Sequence, residues 1–358
     1  MYNKKEKILV PLIAVVLGVL LGIIILVVSN RDFMVLFSSL LKGLTGITLG
    51  KAGINLRYPG ELMVTTMPLI LGGLSIGFAY RCGMFNIGSE GQVIMGSLAA
   101  CCFGILVPIP TRFAAVVVLL VGALAGALWA FIPGILKTKF NISEVVSGIM
   151  LNYSGMFIAS YFYKILPGST TTRTVDLPVN ATLKSDFFYN ITNYSRLNWG
   201  FLVVIVCVIL YWFIIEKTTF GYKLRATGFN KFGAKFAGIK TDRATILSLM
   251  ISGALAGLAG ALLIQGTFGY GRVSLAFDNV GFDGIAVALV GGCNAIGVVL
   301  GGFLFGLLKI TQPLLQTSGV PREIGDIISA AIVYFVAIQY VILYFIHKKR
   351  KTKGESKE

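Results

Sequence analysis

Apolar residues occur along this chain in long blocks separated by short polar gaps, and the blocks match the roughly 20 residues a helix needs to cross a hydrocarbon core. Ten such blocks are legible, at 8–28, 62–80, 87–107, 113–136, 145–166, 199–215, 244–264, 280–292, 296–315 and 324–346. The pattern predicts an all-α polytopic membrane protein of ten transmembrane helices with both ends on one side. A further stretch, 33–49, is interrupted by Lys42, Gly43 and Gly46 and is expected to lie flat at the outer interface or tuck in partway. The gaps differ in character: 167–198 is rich in Ser, Thr and Asn and too short for an independent domain, whereas 217–243 is basic and punctuated by glycine.

Composition supports this class. Hydrophobic residues make up 56% of the 358-residue chain and charged ones only 13%, more apolar matter than a soluble core could hide. The net charge of +16 is not that of a nucleic-acid binder, because Lys and Arg sit in the gaps and at the ends. With both termini in the cytoplasm, 19 of the 31 basic residues fall on the inner side, as the positive-inside rule requires. The first block ends in Val-Val-Ser-Asn-Arg-Asp with no small-x-small cleavage site, so it reads as a retained anchor. Cys82, Cys101, Cys102, Cys207 and Cys293 lie in or beside apolar runs without a C-x-x-C pair, which makes them packing residues rather than disulfides or metal ligands. Sequons occur at Asn180, Asn190 and Asn193, a pattern common by chance in so Asn- and Thr-rich a loop.

Glycines recur four apart, at Gly73 and Gly77, Gly122 and Gly126, Gly253 and Gly257, and Gly297 and Gly301. That spacing lets helix backbones approach closely and predicts a tight bundle. Polar groups interrupt the apolar belt at two places. Asn86-Ile-Gly-Ser-Glu-Gly-Gln puts Asn86, Glu90 and Gln92 at the mouth of the third block, and the segment beginning at Gly281 carries Asp283 near the start of a block too short to cross alone. Two readings stand side by side: Asn86 and Glu90 cap the helix that follows them, or broken helices line a water-filled path. The breaks fall five blocks apart, which suggests two pseudo-repeated halves with the path between them. Asn152, Tyr153 and Gln265 also face apolar surroundings, as interhelical hydrogen-bonding groups or as contacts on that path.

No catalytic site is visible. The nearest approach to a phosphate loop, at 46–52, has the wrong glycine spacing and lacks the Ser or Thr for magnesium. There is no G-x-S-x-G, no H-E-x-x-H, and the single histidine, His347, stands at a membrane border. No cofactor or metal is expected in this chain. In 217–243, Lys223, Arg225, Lys231 and Lys235 keep the segment in water while Phe220, Leu224, Phe232 and Phe236 offer an apolar face, the pattern of a docking surface. A basic loop held by anionic membrane lipids is the alternative.

Several motifs together carry a family resemblance. They are Pro-Leu-Ile-Leu-Gly-Gly-Leu-Ser-Ile-Gly-Phe-Ala at 68–79, Gly-Met-Phe-Asn-Ile-Gly-Ser-Glu-Gly-Gln at 83–92, Lys-Thr-Lys-Phe-Asn-Ile-Ser-Glu-Val-Val at 137–146, Met-Leu-Asn-Tyr at 150–153, Gly-Tyr-Lys-Leu-Arg-Ala-Thr-Gly at 221–228, Ala-Gly-Ile at 237–239 and Gly-Ile-Ala-Val-Ala-Leu-Val-Gly at 284–291. Nearly all of the chain after the first block resembles a permease subunit of the ABC importers for branched-chain amino acids, ribose and nucleosides, most of all the simple-sugar and nucleoside subgroup. The resemblance implies a type II-like importer permease in a bacterial plasma membrane, one transmembrane domain over 1–358 with a basic cytoplasmic tail at 347–358. It also implies a cytoplasmic ABC ATPase dimer that holds ATP and magnesium, a second permease (homologous or identical), and an extracellular substrate-binding lipoprotein. The segment at 217–243 would then be a coupling helix resting in a cleft of the ATPase, with Phe220, Gly221, Leu224, Arg225, Gly228 and Gly238 as its coupling residues; Phe229 and Phe232 depart from the family's usual smaller or acidic residues. Asn86, Glu90, Gln92, Asn152 and Asp283 are the candidates for the translocation path. An ion-coupled secondary transporter would share the broken helices but would bury an ion-binding carboxylate deep in the bundle, and a membrane-embedded enzyme would need a nucleophile–base pair or metal cluster.

Overall fold

A computed structural model describes residues 6–48, 53–111 and 113–338. The lysines at 4 and 5, most of the 46–52 loop, His347, the end of the last expected span and the 347–358 tail lie outside the described residues. Within them the chain is helical: α1 (Glu6–Val28), α2 (Met34–Thr45), α3 (Arg57–Arg81), α4 (Ser89–Leu106), α5 (Phe113–Phe140), α6 (Glu144–Ile165), α7 (Asp186–Ile191), α8 (Gly200–Lys217), α9 (Thr219–Phe229), α10 (Lys231–Phe236), α11 (Thr241–Leu262), α12 (Val280–Val290), α13 (Ala295–Thr317) and α14 (Arg322–Ala337). A π-helical turn, Leu263–Phe268, extends α11. Strand-like pairing among the described residues is confined to isolated bridges, joining Ile47 to Ile54, Arg173 to Arg272 and Lys184 to Asn198.

Among the described residues seven helices are long and apolar enough to cross a membrane: α3, α4, α5, α6, α8, α11 with its π turn, and α13. That is fewer than the ten crossings expected. Helix α12 has only 11 residues, which at 1.5 Å per residue spans roughly 16 Å, about half a hydrocarbon core. The described part of α14 stops at Ala337, and the apolar stretch of α1 that qualifies is Val16–Val28, also short.

The helices group into two compact units, Met1–Ile54 with Leu307–Glu358, and Asn55–Gly306. In the first, α1 packs on α14, and Leu26, Leu36, Leu308, Leu315, Val320 and Ile328 form the core. In 33–49 the chain forms a helix too short to span, and its interruption falls at Gly46 rather than at Lys42 or Gly43. Gly43 does not break α2 but lets it press on Leu307 and Ile310, and α2 ends only at Gly46, whose φ of 76° is left-handed.

In the larger unit α3 is the central post. Nearly every residue of α3 from Val64 to Ala79 is buried, and α11, α12 and α8 pack around it. The regular glycines act where α5 crosses α11: a Cβ on Gly126 or Gly257 would strike the other helix's backbone, so the two helices touch main chain to main chain. Without water, buried polar groups need protein partners, and one cluster of them, with Ser75, Asn86, Glu90, Gln92, Asn152 and Ser252, gathers where α4 and α12 begin.

Candidate functional site

Between α3 and α4 the chain turns through 82–88, and Asn86 does not cap α4. Gly88 holds the cap position with no side-chain hydrogen bond. Asn86 and Gln92 instead exchange amide hydrogen bonds at 2.8 and 3.0 Å, and Asn86 Nδ2 donates to Ser252 Oγ of α11 at 2.7 Å. Ser252 in turn donates to the Ser75 carbonyl of α3 at 2.7 Å. The amide pair therefore knits three helices together. Asn152 of α6 does the same from the other side, accepting from Gly91 N at 2.7 Å and donating to the Ile87 carbonyl at 3.0 Å.

Glu90 also serves a helix other than its own. Its side chain is 0% exposed, and its two carboxyl oxygens accept from Asn279 N at 2.9 Å and Gly281 N at 2.6 Å. Those are the free N–H groups at the start of α12, where the positive end of the helix dipole favours a carboxylate. The reading of Asn86 and Glu90 as caps of α4 is thereby corrected: Glu90 caps α12, whose N–H groups lie 189 and 191 residues away in sequence, a partner that no local motif could reveal. The backbones meet as well: a Cβ on Gly281 would lie 2.6 Å from Glu90 Cα, and one on Gly72 would lie 3.0 Å from the Val280 carbonyl. Asp283 sits in the first turn of α12, half-buried. The structure therefore brings the two sequence breaks into direct contact.

Of the path candidates, Glu90 lines a cavity of roughly 60 Å³ together with Ser97, Ser160, Phe268, Arg272 and Asp278. That is room for about two waters. Arg272 stacks on the Phe268 ring at 4.0 Å and pairs with Asp278, and Ser160 Oγ donates to the Ser274 carbonyl at 2.7 Å. Sequence reasoning missed Phe268, Arg272 and Asp278 because they lie in the gap between two apolar blocks; the signal was an Arg and an Asp six apart beside a break. The π turn next to them widens α11 where the cavity opens, a feature common at functional sites. Gln265 in that turn donates to the Ala115 carbonyl of α5 at 3.0 Å and the Ala181 carbonyl at 2.6 Å. The 167–198 segment folds back over it, with Leu183 N, Leu177 N and Thr174 N donating to the carbonyls of Gln265, Gly269 and Gly271.

The basic segment is a pair of helices. Thr218 Oγ1 caps α9 by accepting from Gly221 N at 3.0 Å, and Asn230 Oδ1 caps α10 by accepting from Gly233 N at 2.9 Å. The break at Asn230 splits the single apolar face expected from sequence: Gly221 and Leu224 are buried and Phe220 is half-buried, while Phe229, Phe232 and Phe236 are 90, 86 and 98% exposed. Arg225 pairs with Glu216 of α8 at 2.6 Å. Gly228 is required for close approach, not for a left-handed φ, since a Cβ there would meet the Arg81 carbonyl at 2.5 Å. Gly238 does carry a left-handed φ of 81°, in open space. A second cavity of about 360 Å³ lies between α9 and the 81–85 turn, lined by Arg81, Met84, Phe85, Arg225, Gly228 and Phe229.

Fold and site together define a multi-pass helical membrane protein with two broken helices meeting at a small polar cavity. The chain belongs to the family described as branched-chain amino acid transport system / permease component, which matches residues 58–337. It is 42% identical over 99% of both chains to the guanosine ABC transporter permease protein NupP of Bacillus subtilis. It is 36% identical to the nucleoside ABC transporter permease protein NupB of Lactococcus lactis, over 99% of this chain and 97% of that one. A second Bacillus subtilis protein, the guanosine ABC transporter permease protein NupQ, is 26% identical over 72% of this chain and 81% of its own. No solved structure matches the chain.

Proposed function

We propose that this chain is the membrane-spanning permease subunit of an ATP-binding-cassette importer for nucleosides. The observation that carries the reading is full-length similarity to two permeases described by nucleoside substrates, covering 99% of this chain in both cases. On this reading Glu90, Asn86, Gln92, Asn152 and Asp283 form or brace the translocation path. At roughly 60 Å³ the cavity beside Glu90 is far too small for a nucleoside, which suits a permease in a closed state. Deleting the gene should abolish saturable uptake of tritiated guanosine by whole cells, and restoring it should return uptake; unchanged uptake in the deletion strain would refute the proposal.

The assembly follows from the same reading. The α9–α10 pair couples this chain to a cytoplasmic ABC ATPase dimer, which supplies the ATP and magnesium chemistry, and the three exposed phenylalanines among basic residues suit a cleft with an apolar floor and an acidic rim. An extracellular binding lipoprotein delivers substrate on the side of 167–198. Two differently sized matches in one organism, NupP and NupQ, support a second permease that is related rather than identical. The whole chain is one permease domain in the bacterial plasma membrane with both termini cytoplasmic. On this reading the chain is built of two pseudo-repeated halves in about ten crossings, and the meeting of the two breaks, each at the start of a helix that follows a long spanning helix, is in keeping with the repeat.

A further inference from the structure

Helix α12 is held at both ends by side chains from other helices. At its start Glu90 of α4 takes the N–H groups of Asn279 and Gly281. At its end the chain turns through Gly292 and Cys293, whose φ values of 58° and 53° are both left-handed. A non-glycine residue in that region persists only where its surroundings hold it. Two donors hold this one through its carbonyl: Tyr211 Oη of α8 at 2.8 Å and Arg81 Nε, from the last residue of α3, at 3.1 Å. The Tyr211 ring is itself fixed edge-on against Phe78 of α3, 5.9 Å between centroids.

Arg81 also faces Glu216 at 3.7 Å, and the other oxygen of Glu216 is 2.6 Å from Arg225 of α9. The chain of contacts thus runs from α9 through Arg225, Glu216 and Arg81 to the Cys293 carbonyl, along α12, and out to Glu90 at the cavity. Its links differ in strength. The charge-assisted Arg225–Glu216 bond ties the end of α8 to α9, whereas the 3.7 Å Arg81–Glu216 contact is loose and partly solvated, so it can be made and broken without unfolding anything. A hydrogen-bonded helix of three turns moves as one body, so a shift at Cys293 reaches the Asn279–Gly281 end.

We propose that Arg81, Tyr211 and Glu216 are positioning residues for coupling, which convert displacement of the α9–α10 pair into movement of α12 and so of the Glu90 latch on the polar cavity. The inference rests on reading this chain as an ATP-driven permease, and its test separates the two. The complex is purified through a tag on this chain from its own host's membranes and placed in proteoliposomes with its binding protein, and guanosine uptake and ATP hydrolysis are measured together. Arg81→Gln and Glu216→Gln are expected to keep the ATPase bound and hydrolysing while uptake per ATP falls about tenfold, within the range that coupling changes span. Tyr211→Phe, which removes one hydroxyl, lowers the ratio less, and Arg81→Lys restores part of what Arg81→Gln loses because it keeps the charge facing Glu216. An unchanged ratio of uptake to hydrolysis in Tyr211→Phe and Glu216→Gln overturns the relay, including the case in which both activities fall in proportion, since that reports folding alone. If Arg81→Gln does not assemble, Tyr211→Phe decides. A wild-type complex that takes up no guanosine and shows no substrate-stimulated hydrolysis refutes the importer reading itself.

Discussion

At the scale of single residues, the buried polar groups have specific and unequal tasks. Glu90→Gln keeps the size but presents an amide N–H₂ to one of two backbone N–H groups that now find a carboxyl oxygen. Leaving a buried donor unsatisfied costs about 1–3 kcal/mol. The variant should therefore insert normally, melt earlier in a detergent thermal-shift assay, and lose most guanosine uptake; wild-type uptake would reduce Glu90 to a dispensable cap. The glycines give a sharper contrast. Gly228→Val would drive a side chain into the Arg81 carbonyl and the Gly83 nitrogen, so it should deplete the protein from the membrane rather than only uncouple it. Gly238→Ala meets open space and pays only for its left-handed φ of 81°, about 1–2 kcal/mol, and should be recovered at near wild-type levels. Immunoblots of membrane fractions, calibrated against the wild type, distinguish the two; equal abundance would mean that α9 does not sit on the 81–83 turn as described. Local sequence could place a required glycine at 228 but not say why, because the reason is a neighbour more than a hundred residues earlier.

At the scale of elements, periodicity was sufficient for helices and insufficient for their partners. Each apolar block expected to span contains a helix over most of its described length, because block length and flanking charge are local properties of the chain. The faces of α9 and α10 were not legible. The amphipathic reading joined Phe220, Leu224, Phe232 and Phe236 as one stripe, but the Asn230 cap restarts the helix, burying Leu224 against the bundle and leaving Phe232 and Phe236 exposed on this chain. That split makes the pair separable by mutation. Phe232→Ser with Phe236→Ser removes apolar surface that touches little in this chain, and exposed substitutions of this kind change stability by about 0.5 kcal/mol or less. The double variant should reach the membrane in wild-type amount yet fail to co-purify the ATPase. Full co-purification would move the docking surface elsewhere, whereas Leu224→Ser, which empties a buried position, should lower the amount of the protein itself.

At the scale of the whole molecule, composition and the distribution of charge declared a membrane protein before any fold was known, and the resemblance of scattered motifs agreed with the family that matches residues 58–337. What the sequence could not show is that the two breaks, some 190 residues apart, close on each other, since hydropathy reports depth in a membrane and carries no information about which helices are neighbours. Sidedness rests on charge alone and can be measured directly. The five cysteines are free in the described chain and four of them are buried, so a cysteine-free background replaces packing groups and breaks no disulfide. Into it, Asn190→Cys in the exposed part of the 167–198 segment and, separately, Lys235→Cys in exposed α10 each introduce one reactive thiol. If basic gaps face the cytoplasm, a membrane-impermeant maleimide applied to intact protoplasts should label position 190 and spare position 235 until the membrane is opened. The α9–α10 pair can meet a cytoplasmic ATPase only in that orientation, so labelling of 235 from outside would reverse the topology and remove the basis for coupling through these helices.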